Sequence, residues 1–196
     1  MEGHEVRLRI ESIGIIPAIR VSSAQDARFA TAIHCAGISV AEITATIPDA
    51  VGVVSDLRRN IPEMLVEAGT LLDAQMAQRC LDAGAQLLTS PVLIGRGVRQ
   101  KEGSYGASGG LDSERDHHGV EDRRGPNLSV SLRAQVGGGS YIRARKASFP
   151  HLPLIASGGV NLQPAFDFIR AGATALGIGA ELIPKESIQL RQESHS

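Results

Sequence analysis

Short apolar runs rich in β-branched residues alternate with helix-patterned stretches along this chain, and no other feature limits its fold so strongly. Ile13 to Val21 is the first run, Ile38 to Thr44 the second, Glu63 to Thr70 the third and Gln86 to Ser90 the fourth. Between them, apolar residues recur at helical spacing. Ser23 precedes Ala27, Phe29, Ala30, Ala32 and Ile33, with Gly37 as the stop. Pro48 to Arg59 forms the second helical stretch, with Pro48 suited to a first turn. Asp73 is placed to cap a third stretch, which Gly84 closes after Ala83. The pattern returns with a strand at Pro153 to Ser157, a helix from an Asn161 cap to Arg170, ended by Gly172, and a strand at Ala175 to Gly179. Strands this apolar need cover on both faces, and helices at this spacing supply it as right-handed βαβ units of a parallel sheet. Four units before a gap and two after it predict an α/β protein, a (β/α)8 barrel, in one domain over residues 1–196.

Charge and composition exclude several partners. The net charge is −1 with no basic stripe, so neither nucleic acid nor a membrane surface is an expected ligand. No apolar stretch approaches the roughly 20 residues that span a bilayer. The start, Met-Glu-Gly-His-Glu, lacks the basic and apolar regions of a signal peptide, so a cytoplasmic location is expected. Cys35 and Cys80, each inside a helical stretch, read as reduced, small apolar side chains.

The ends of the strands carry polar groups in a fixed order. Pro17-Ala18-Ile19-Arg20 is followed by Ala41-Glu42-Ile43-Thr44, then Ala68-Gly69-Thr70, then Ser90-Pro91. Later come Tyr141-Ile142-Arg143, Phe149-Pro150-His151, Ser157-Gly158-Gly159-Val160-Asn161 and Gly177-Ile178-Gly179. In a parallel barrel these positions share one rim. Ser157, Gly158 and Gly159 lie between a strand and a helix, where backbone N–H groups can approach an anion; Gly177 and Gly179 offer a second cradle.

With these motifs, over residues 12 to 93 and 135 to 187, the chain resembles the bacterial 2-keto-3-deoxy-6-phosphogluconate and 4-hydroxy-2-oxoglutarate aldolases. The resemblance implies a class I aldolase on a TIM barrel, commonly trimeric and free of metal and cofactor. A strand-six lysine forms a Schiff base with the 2-keto group, an electron sink for the carbanion left on cleavage. A strand-two glutamate moves protons. Glu42 matches that glutamate. Thr70 matches a threonine holding the pyruvate carboxylate, Pro91 a proline shaping the strand-four end, and Arg20 an arginine near the substrate's charges. Thr46 stands where relatives carry arginine or threonine. The glycine turns at Ser157, Gly158, Gly159, Gly177 and Gly179 match the phosphate site. Departures are Glu67 and Val92 in place of glycines, and Ala180 in place of a serine.

Between Gly95 and about Leu132 the pattern stops. The stretch is rich in Gly, Arg, Asp and Glu and poor in large apolar residues, so it is expected to be irregular, replacing strands five and six. The resemblance would put the lysine here, in a Lys-x-Phe-Pro context. Lys101 and Lys146 are the only lysines between Gly95 and Pro184, and neither has that context. His117 and His118, with Glu114, Asp116 and Glu121, match no zinc or iron spacing, so no metal is expected. Codons for Ser108 to Val120, read one base later, can spell Pro-Gly-Ala-Leu-Thr-Pro-Ser-Glu-Ile-Ile-Thr-Ala-Trp, close to a motif of the relatives. A frameshift with a later compensating one, spanning about 95–132, is the expected origin.

The expected activity is retro-aldol cleavage of a small phosphorylated 2-keto sugar acid, 2-keto-3-deoxy-6-phosphogluconate, to pyruvate and glyceraldehyde 3-phosphate. The alternative is an inactive remnant that only binds phosphate or 2-keto acids. An unrelated phosphate-binding barrel would not be expected to carry Glu-Ile-Thr and Ala-Gly-Thr at this spacing.

Overall fold

The computed structural model describes residues 3–21, 23, 29–90, 105–109, 128–133, 137–148, 150, 153–160, 162–179 and 182. Helix α1 (Gly3–Ile13) leads into β1 (Ile15–Ile19), and α2 (Phe29–Cys35) into β2 (Val40–Thr44). Then follow α3 (Ala50–Asn60), β3 (Leu65–Gly69), α4 (Ala74–Asp82), β4 (Leu87–Ser90), β5 (Tyr105–Gly109) and β6 (Leu128–Arg133). Helix α5 (Gly138–Ser148), β7 (Leu154–Ser157), α6 (Leu162–Arg170) and β8 (Ala175–Ile178) complete the order. Every strand pairs in parallel with its neighbour in sequence, and β8 pairs with β1, so the sheet closes.

Successive residues of a strand face opposite sides, and here both sides are buried. Ala41, Ile43, Val66 and Ala68 pack outward with Val53, Val54 and others of α3 and α4. Leu154, Ala156, Leu176 and Ile178 do the same with Ile142 of α5 and Phe168 of α6. The inward residues Val40, Leu65, Leu87, Ile155 and Ala175 form the barrel floor. Helix α1 seals that floor with Val6 and Ile10, both buried against it. No strand or helix was expected before Ile13, although Val6, Ile10 and Ile13 already recur at helical spacing.

Two expectations are corrected. The stretch read as irregular contributes β5 and β6, which bridge β4 and β7. Composition argued against packed structure, yet a barrel strand needs chiefly backbone partners, and both neighbours supply them. Leu-Ser-Val-Ser-Leu-Arg of β6 also alternates with the period of a strand. The second helix begins at Ala50 rather than at Pro48, because Asp49 is the cap: its side chain accepts from the Gly52 N–H. Asp73 caps α4 as expected, accepting from Met76 N at 2.7 Å.

Candidate active site

Glu42 and Glu67 stand on the inward faces of β2 and β3, one layer above the floor. Their positions follow from alternation, since Val40 and Leu65, two residues earlier, belong to the floor cluster. The two are register partners across the strand pair. Both are buried, Glu42 8% exposed and Glu67 3%. Glu42 folds over Gly69: a Cβ at that glycine would come within 2.0 Å of the Glu42 Oε1. Glu67 turns toward β4, where the Thr89 hydroxyl donates to its Oε1. Its other oxygen, Oε2, is buried with no hydrogen-bond partner.

Burial makes the charged form of each carboxyl costly. It raises the Glu42 pKa, against the pull of Arg20, which lowers it. It raises Glu67 well above the carboxylate range, and the neighbouring Glu42 raises it further. Arg20 itself is exposed, one residue past β1.

The threonines lie at the ends of the same strands. The Thr44 hydroxyl lies 3.3 Å from the Ile19 carbonyl, to which it donates, and 2.9 Å from the Thr46 hydroxyl. Thr46 is exposed on the turn after β2. Thr70 is half-buried directly after β3 and holds a left-handed φ of 59°, a conformation a β-branched residue rarely adopts. Leu71 N then bonds the Thr89 carbonyl at 3.2 Å, and the Ser90 hydroxyl donates to the Leu71 carbonyl at 2.6 Å, which tie this turn to β4.

Across the barrel, Ser157 ends β7, and Gly158 and Gly159 follow with φ of 71° and 74°. Two left-handed residues in succession require glycine, and they bring exposed backbone to the start of α6. Gly177 lies against Ser157, where a Cβ would meet the serine Cβ at 3.0 Å; Gly179 nears the Ala18 carbonyl instead. Arg20, Glu42, Thr46, Thr70, Ser157, Gly158, Gly159, Gly177 and Gly179 thus all sit at the carboxyl ends of strands in one closed parallel sheet, on one rim. Pro91, Val92, Ala180, Lys101 and the His117–His118 pair lie outside the described residues. Among the described residues no three His, Cys, Asp or Glu side chains gather as a metal site. Neither the pairing of Glu67 with Glu42 nor the contact of Thr89 was legible in the sequence; the register of β2 on β3 reveals the first and the packing of β4 beside β3 the second.

A closed parallel barrel with carboxyls, hydroxyls and glycine turns on one rim defines the class of TIM-like barrel proteins. Residues 6–102 match the family described as KDPG and KHG aldolase. The 2-dehydro-3-deoxy-phosphogluconate aldolase of Haemophilus influenzae is 24% identical over 184 residues, covering 92% of this chain and 86% of the relative. The KHG/KDPG aldolase of Escherichia coli K12 is 34% identical over 80 residues, 40% of this chain and 38% of the relative. Among solved structures, the KDPG aldolase of Legionella pneumophila, with pyruvate captured as a covalent carbinolamine, superposes with a TM-score of 0.82. It shares 24% identity, over 95% of this chain and 91% of that one. Over residues 6–102 this chain carries the pattern of the KDPG and KHG aldolase family.

Proposed function

We propose that the chain cleaves 2-keto-3-deoxy-6-phosphogluconate, the 2-keto end seated between Glu42 and Thr70 and the phosphate at the Gly158–Gly159 and Gly177–Gly179 turns. The carrying observation is Glu42, a buried carboxyl held at the rim, whose proton affinity is raised by burial against the pull of Arg20. A group so tuned can take the C4 hydroxyl proton as the C3–C4 bond breaks and return a proton to C3. Glyceraldehyde 3-phosphate and pyruvate are the products. Backbone N–H groups at the glycine turns suit a phosphate, since nothing projects from them. The name of the Haemophilus relative specifies the same substrate class.

In a Schiff-base route the electron pair of C3 flows into an iminium formed with a lysine amine. Strand β6 contains no lysine. Lys146 lies on helix α5 with its Nζ 3.3 Å from the Pro150 carbonyl. That observation favours a second reading, a barrel that keeps substrate binding and has lost the covalent step. Borohydride reduction in the presence of pyruvate is expected to leave no adduct on the chain; a stable mass gain on a lysine restores the Schiff-base route. Pyruvate release from the sugar acid, abolished in Glu42→Gln, supports the lyase. Saturable binding without release selects the second reading, and neither release nor binding ends both.

The frameshift is proposed on the same footing: gene codons for Ser108 to Val120 that cannot yield the shifted motif exclude it. A cytoplasmic homotrimer is the assembly we expect, checked by sedimentation equilibrium. No helix among the described residues is long and apolar enough to cross a membrane.

A further inference from the structure

Two carboxyls lie side by side on the inner face of the barrel, and among the described side chains Arg20 is the cation that acts on them. Glu42 and Glu67 are register partners on strands about 4.8 Å apart, both on the inward face. From β1 the only charged group acting on the pair is Arg20, which is exposed and works on Glu42. From β4, β7 and β8 the inward groups at this level are neutral, Thr89, Ser157 and Gly177, while β6 ends at this level with Arg133, the register partner of Ser157. Thr89 occupies Oε1 of Glu67, and Oε2 is buried without a partner. An ionised oxygen left bare in a dry interior is costly, and a second negative charge beside it adds repulsion. A protonated Oε2 lowers both costs, because it carries no charge and can donate toward the neighbouring strand that holds Glu42.

We propose that Glu42 and Glu67 act as one carboxyl pair that holds a single proton at neutral pH, carried on Oε2 of Glu67 and donated toward the Glu42 carboxylate. Glu67 is then a positioning residue. It keeps Glu42 ionised, as a proton acceptor must be, although Glu42 is buried. The raised proton affinities of both groups, Glu67 the more strongly, agree with this order of ionisation. The macroscopic steps belong to the pair, the lower one mostly to Glu42 and the upper one mostly to Glu67. The inference is independent of the proposed substrate, since it is read by titration of the free protein and not by turnover.

The test is a carboxyl-carbon NMR titration of the full chain labelled at glutamate, in the wild type, Glu67→Gln and Glu42→Gln. Two separated steps are expected in the wild type. The upper step disappears in Glu67→Gln, and in Glu42→Gln it moves to lower pH by about one unit or more, the scale of a close like charge. If Glu42→Gln does not fold, Glu42→Asp withdraws the charge by one methylene and shifts the upper step in the same direction by less. An upper step that ignores the residue at 42, or two glutamates titrating in the ordinary carboxylate range, overturns the pair. So does tight Mn2+ binding at neutral pH that is lost in Glu67→Gln, because a cation rather than a proton would then neutralise the site.

Discussion

Gly69 shows how one missing side chain shapes this site. Its place on β3 opposite Thr44 leaves room for the Glu42 carboxylate, which a Cβ would meet at 2.0 Å. Such an approach cannot be relieved by a small shift, so Gly69→Ala must push the carboxylate off its position. The strand conformation itself tolerates alanine, since Gly69 has no left-handed φ. The expected result is a fall of at least tenfold in pyruvate release, or in 2-keto acid binding if release is absent, with the fold retained by circular dichroism. Unchanged binding and release would show that Glu42 works from elsewhere. The neighbouring Thr70 carries the opposite kind of cost, a left-handed backbone on a β-branched residue. Such strain persists only where surrounding contacts impose it, here the ties from Leu71 to Thr89 and Ser90.

Among the elements, α1 was not anticipated from the chain's pattern, and it closes the barrel's lower end. Val6 and Ile10 share one buried cluster with inward residues of six strands, Ile16 of β1 among them, while Leu8 on the outer side is 50% exposed. Ile10→Ala removes a branched side chain from that floor and leaves a cavity. The expected cost is about 2–5 kcal/mol, seen as a lower urea midpoint with an unchanged slope. Loss of only a few tenths would mean that α1 packs loosely. Strands β5 and β6 teach the converse. Tyr105–Gly109 is made of residues that rarely argue for a strand, and its place is set by backbone pairing to Leu87–Ser90 and Leu128–Arg133. Local preference is a weak guide for a strand whose two neighbours are already in place.

At the scale of the whole molecule, the buried glutamates link the stability of the barrel to pH. In the unfolded chain Glu67 releases its proton near its ordinary value of 4.5; in the barrel it keeps the proton to much higher pH. The folded state therefore binds more protons above that value, and stability must fall as pH rises through the interval and level off past the folded midpoint. Glu42 contributes in the same direction with a smaller interval. Melting temperature is expected to decline from about pH 5 upward in the wild type and to decline less in Glu67→Gln; an equal slope in both would remove Glu67 as the cause. The amino-acid sequence by itself determined the alternation of strands and helices, the caps, and the order of polar groups at strand ends, because those depend on residues near in the chain. The positions of Glu42 and the glycine turns near strand ends were legible for that reason, and their roles only through the family resemblance. Only the tertiary structure decided that Glu67 faces Glu42, that Thr89 reaches it, and that β5 and β6 complete the ring. Each of those rests on the register between strands, which is fixed when the sheet closes and not before.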